Sequence, residues 1–135
     1  MWSFVNDAPA AVQMVMLLLC VLMGVSHLIQ RRMWSQFFGM LGERGTSGLI
    51  ANSFISTTTA AVIVGLHQVW NGPAVLLTLF GWMLLLKSVI GLWLPALGMR
   101  SLRLSRHGDW AFRGAGIGLL VIAAACALAL GKVWK

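Results

Sequence analysis

Four stretches of roughly twenty mostly apolar residues, at about 10–29, 49–70, 73–97 and 112–133, fill most of this 135-residue chain. A helix rising 1.5 Å per residue needs about that length to cross a hydrocarbon core of ~30 Å. Nothing else in the sequence narrows the fold as far. Inside lipid every backbone N–H and C=O must find its partner within the protein, so spans of this kind are helical. The composition agrees. Residues are 59% hydrophobic and 10% charged, against about a quarter charged in soluble domains. The expectation is an all-α integral membrane protein, a single four-helix transmembrane domain over residues 1–135.

The connectors refine this. Spans two and three are separated by Asn71-Gly72-Pro73; glycine supplies a tight turn and proline suits the first position of the next helix. This predicts side-by-side spans and, overall, two antiparallel hairpins. The first connector, RRMWSQFFGMLGER, is amphipathic over about 31–42. Met33, Trp34, Phe37, Phe38 and Leu41 share one helical side, while Arg31, Arg32, Ser35, Gln36 and Gly39 take much of the other. A short helix lying on the membrane surface has this pattern. The pattern also serves a plain re-entry device between spans. The second connector, MRSLRLSRHGDWAF, spaces Arg100, Arg103, Arg106 and His107 as a basic ridge continuing past span three.

Charge sets direction. The net charge is +7, and seven of the ten cations are arginines in or beside these two connectors: Arg31, Arg32, Arg44, Arg100, Arg103, Arg106 and Arg113. Only Lys132 and Lys135 lie on the opposite side. Cytoplasmic loops collect Lys and Arg, which predicts a bacterial inner membrane with both termini on the non-cytoplasmic side. It also removes the case for nucleic-acid binding. The same arginines, Arg31, Arg32, Arg100, Arg103 and Arg106, can meet lipid headgroups at about 1 kcal/mol per cation. Trp2, Trp70 and Trp134 fall at one interface and Trp34, Trp93 and Trp110 at the other, as expected of aromatic belts; Trp82 lies deeper and reads as packing. No Lys or Arg precedes the first span, so the sequence carries no signal-peptide pattern.

One cation breaks the apolar pattern. Lys87 stands inside GWMLLLKSVIGLW, about ten residues or ~15 Å from the nearer end of its span. Insertion there costs about 2.5–3.5 kcal/mol, only partly relieved by snorkelling. The acids Asp7, Glu43 and Asp109 lie at or beyond the span ends. Span two offers Ser56, Thr57, Thr58 and Thr59 at matching depth, with Asn52, Ser56 and Thr59 on one side. Lys87, Asn52, Ser56, Thr58 and Thr59 therefore form the candidate intramembrane polar site. Three roles stand open for Lys87: a structural lysine satisfied within the chain, a partner for an acid on another subunit, or the lining of a polar cavity for an anion or a proton.

The remaining marks are weaker. Gln13, Cys20, Gly24 and His27 share one side of span one. His27 and His67 lie near opposite interfaces, so they cannot hold one haem iron and read as hydrogen-bonding histidines. Cys20 and Cys126 read as small buried hydrophobes. Gly114, Gly118 and Ala125 give span four a small-residue packing side. Arg44-Gly45 with Gly48-Leu49 and Arg113-Gly114 with Gly118-Leu119 hint at a parallel repeat of the halves. GAGIG lacks the preceding strand and following Lys-Ser/Thr of a phosphate loop. No acid pair, nucleophile triad or metal-spaced cluster appears, and no cofactor is implied.

In span number and length the chain is similar to small multidrug transporters, but those rely on a first-span glutamate that is missing here. The expected function is a non-enzymatic integral subunit or accessory protein, associating with another membrane protein or with itself. The alternative is a small transporter or channel with a polar cavity around Lys87, between spans two and three.

Overall fold

A computed structural model of the chain describes residues 7–104 and 108–133. Trp2, Arg106, His107, Trp134 and Lys135 lie outside the described residues. Six helices follow in order: α1 Ala8–Ile29, α2 Arg31–Glu43, α3 Thr46–Leu66, α4 Val75–Trp93, α5 Pro95–Leu104 and α6 Asp109–Val133. There is no strand among the described residues. Helices α1, α3, α4 and α6 are each long and apolar enough to cross a membrane.

Local chemistry sets the boundaries. Asp7 caps α1, its carboxylate accepting from the Ala10 N–H at 3.4 Å, with proline in the first turn. Gly45 turns the chain from α2 into α3 at φ +61°, a region that favours glycine. The second span ends at Leu66 rather than near 70, because His67 leaves the helix. The third ends at Trp93 rather than at 97. Leu94 precedes Pro95, and a residue before proline is driven out of the α region; Leu94 sits at φ −124°, ψ 69°. The basic ridge is therefore not a continuation of span three but a separate helix, α5, started by Pro95.

Packing is pairwise. Helix α1 lies chiefly against α6, and α3 chiefly against α4. Close glycine contacts fix both registers. Gly24 sits against Leu120 and the Gly116 backbone, and Gly116 against Leu28. Gly81 meets Ile63 and Gly91 meets Ser53, so α3 and α4 run in opposite directions. Gly48 lies so close to the Leu41 carbonyl that no side chain fits there, which folds α2 back onto α3. Helix α5 in turn packs on α2 and α3, with Gly98 against Leu49 and Leu102 near Gly42.

The apolar core is lopsided. Val12, Met16 and Cys20 of α1, Ile63 of α3, Leu77 of α4, and Ala123 and Cys126 of α6 form one buried cluster. Val12, Met16, Ile63, Leu77 and Cys126 lie toward the 67–74 end of the bundle, and Cys20 and Ala123 stand near mid-span. Cys20 and Cys126 are free thiols buried within it, as small hydrophobes would be. Outward-facing side chains on the four long helices are large and apolar, Leu18, Leu22, Phe54, Ile55 and Leu86 among them. Trp82 belongs with these. It is 44% exposed on the flank of α4, which corrects its reading as a packing residue, because Gly81 rather than Trp82 occupies the α3 contact.

Candidate functional site

The other half of the bundle encloses a cavity. At the α2/α5 end the helix pairs separate around a space of about 470 Å³, within the usual range for small-molecule sites. Phe80, Met83 and Lys87 of α4 form one wall, and Ala111, Ala115, Gly118, Leu119 and Ile122 of α6 the facing one. Its base is buried: His27 of α1, Leu102 of α5 and Phe112 of α6. Asn52 of α3 and Ser101 of α5 complete the polar part. A second space of about 300 Å³ adjoins it between α3, α4 and α5, and Asn52, Met83, Lys87 and Ser101 line both. Lys87 thus stands at the junction of two cavities.

Lys87 is exposed to these spaces. Among the described residues it makes no hydrogen bond and no ion pair, and the Asn52 side chain makes none either. No fully buried side-chain polar atom lacks a partner among the described residues. The two unpartnered groups are therefore surface groups of the cavity, not trapped polar atoms.

The span-two hydroxyls are placed otherwise. Ser56, Thr57, Thr58 and Thr59 each donate to the carbonyl four residues back, at 3.1, 2.7, 2.9 and 3.1 Å. Ser56 is buried and Thr58 exposed; neither they nor Thr59 line the two cavities around Lys87. Of the polar set read from the sequence, the fold brings Asn52 to Lys87. It adds Ser101 and His27, which sequence reasoning missed. For Ser101 the signal was hidden behind the helix break at Pro95.

An aromatic stack supports the base of the cavity. His27 lies on Trp34 at 4.4 Å between ring centres and 17° between planes, and Phe38 on Phe112 at 5.6 Å. Trp34 Nε1 donates to the Ser26 hydroxyl at 2.8 Å. The His27 Nδ1 lies 2.7 Å from the Met23 carbonyl; a carbonyl only accepts, so Nδ1 is the donor in this bond. The expected amphipathic helix is divided by this packing. Trp34, Phe38 and Leu41 turn inward, while Met33, Phe37 and Met40 stay exposed. Arg31 is half-buried, and Arg32, Arg100 and Arg103 are exposed around the same end.

The opposite end is closed by a polar chain. His67 and Thr78 are fully buried. Thr78 Oγ1 donates to the Val69 carbonyl at 2.7 Å, so it accepts from His67 Nδ1 at 3.0 Å. His67 Nε2 then accepts from the Gln13 amide at 3.0 Å. His67 lies one residue beyond α3, and burial holds it below the usual imidazole range, partly opposed by its own backbone. Both histidines form hydrogen bonds, and His67, at the end of its span, is also buried within the bundle. Gln13 and His27 are fourteen residues apart on α1, or about 21 Å, so the two imidazoles serve opposite ends of the bundle.

The small-residue side of α6 is also divided. Ala125 is buried. A side chain on Gly114 or Gly118 would meet nothing within 4 Å, and Gly116 makes the close approach to α1 instead. Among the described residues no group of three or more His, Cys, Asp or Glu side chains could hold a metal. No family model matches the sequence, and no characterised protein or solved structure is significantly similar to it.

Proposed function

We propose that the chain is a non-enzymatic carrier or binding protein of a bacterial inner membrane, working through the cavity at Lys87. In this reading α3/α4 is an antiparallel membrane hairpin, and α1 and α6, the first and last spans, pair with each other instead of forming the second hairpin expected from the sequence. Helices α2 and α5 lie at the cytoplasmic interface, where Met33, Phe37 and Met40 enter the leaflet and Arg31, Arg32, Arg100 and Arg103 meet headgroups. Both termini are then outside. The observation that carries the reading is the unpartnered ammonium of Lys87 in a cavity whose other end is closed by the apolar core and His67. With α4 ending at Trp93, Lys87 lies six residues, or about 9 Å, from that end. An ammonium left open there has electrostatic use for an anion, and intramembrane ionisable groups mark ligand or ion paths by default.

This relocates the alternative drawn from sequence. The larger space lies between α4 and α6, not only between spans two and three. The test is thiol labelling of Lys87→Cys in a background with Cys20→Ala and Cys126→Ala. Modification by a membrane-impermeant reagent from the cytoplasmic side supports the reading, and protection from both sides removes it.

A second reading keeps the chain as a subunit of a larger assembly or of a homo-oligomer. Its support is the open side of α6, where Gly114 and Gly118 meet nothing among the described residues and small residues let a partner helix approach. Co-purification of a partner in mild detergent, lost with Gly114→Leu, supports it; a lone monomer in both forms counts against it.

A further inference from the structure

The cavity has a side door. Its walls belong to two membrane-crossing helices, α4 and α6, which pack mainly on other partners. Met83 and Lys87 on one rim, and Ala111, Ala115 and Gly118 on the other, are all exposed. Gly118 has empty space where a side chain would stand. A gap between two spans opens toward lipid, so a molecule dissolved in the bilayer can enter without crossing the sealed 67–74 end.

The lining has two chemistries. Phe80, Leu119 and Ile122 are apolar and lead toward the buried core, whereas Lys87, Asn52 and Ser101 gather the polar atoms toward the α2/α5 end. No acid lines the space, so its one formal charge is positive. Resting on the reading of the cavity as an anion site, we propose that it takes a single-chain amphipathic anion, a fatty carboxylate. The carboxylate sits on the Lys87 ammonium with the Asn52 amide as second donor, and the chain lies along Phe80, Leu119 and Ile122. The volume of about 470 Å³ suits one chain better than two. A charge-assisted hydrogen bond to an ammonium otherwise without a partner fixes the headgroup.

The experiment uses the whole protein in nanodiscs of neutral lipid with a photoreactive palmitate analogue. Labelled peptides from α4 and α6 are expected, with palmitate competing at least tenfold better than hexadecanol. Lys87→Met should weaken labelling at least tenfold, while Lys87→Arg keeps most of it. Gly118→Leu, which fills open space, should also reduce it. Equal competition by hexadecanol overturns the proposal, as does selective displacement by a two-chain phosphatidylglycerol. Should Lys87→Met not fold, the competition on the unaltered protein decides alone. If position 87 accepts the impermeant thiol reagent but palmitate does not bind, the fatty ligand fails and the anion cavity stands; if neither occurs, both fail.

Discussion

Gln13 and His67, fifty-four residues apart in the chain, meet with 3.0 Å between the amide nitrogen and Nε2. Through Thr78 and the Val69 carbonyl, this contact ties α1, the end of α3 and the start of α4 into one hydrogen-bonded chain. It closes the end of the bundle that the cavity does not reach. Replacing Thr78 by Val keeps the shape and removes both bonds at once. The buried His67 Nδ1–H then loses its acceptor, so Thr78→Val should destabilise by about 1–3 kcal/mol, read as a lower thermal midpoint in detergent. An unchanged midpoint would show that the chain of bonds contributes nothing.

The same chain predicts a pH dependence. His67 is held below the usual imidazole range chiefly by burial, so the neutral ring is the form the fold prefers. Its contribution is present above the unfolded pKa of about 6.5 and is lost as pH falls through that value toward the lower folded one. Thermal midpoints should therefore drop between about pH 7 and pH 5. His67→Asn should flatten the curve. A flat profile in the unaltered protein would contradict the assignment.

Much of the architecture was legible in the apolar runs, because span length and backbone pairing in lipid leave few options. The helix break at Leu94 was written in the Leu94-Pro95 step, yet the apolar run continued through it and hid the signal. The Gln13–His67–Thr78 chain could have been found by counting depth, since all three fall near the same end of their spans. That Asn52 rather than Ser56 reaches Lys87 depends on helix rotation. The run Ser56-Thr57-Thr58-Thr59 on α3 carries no rotation signal, since each hydroxyl is satisfied by its own helix.

Glycines give a paired prediction. A side chain at Gly48 would run into the Leu41 carbonyl, a backbone atom, so Gly48→Ala should cost about 1–3 kcal/mol through overpacking. Gly114→Ala faces open space and should change stability by less than about 0.5 kcal/mol. Midpoints measured side by side decide, and equal effects would mean that α2 does not fold back onto α3 this closely.

Sidedness is checked by fusion. Reporters attached after Lys135 should be active when they require the periplasm and silent when they require the cytoplasm, because Lys and Arg collect in cytoplasmic loops and the proposed orientation rests on that rule. The reverse pattern would invert the membrane orientation and place the cavity's α2/α5 end outside.

The most direct measurement concerns whether Lys87 belongs to the fold or to a ligand. A lysine paired within the chain loses about 3–5 kcal/mol when the pair is broken, whereas one facing an open cavity loses nothing. The thermal midpoint of Lys87→Met in detergent without added anion should equal or exceed that of the unaltered protein. A fall worth several kcal/mol would mean that the ammonium is bound inside the bundle, and the anion cavity would be wrong.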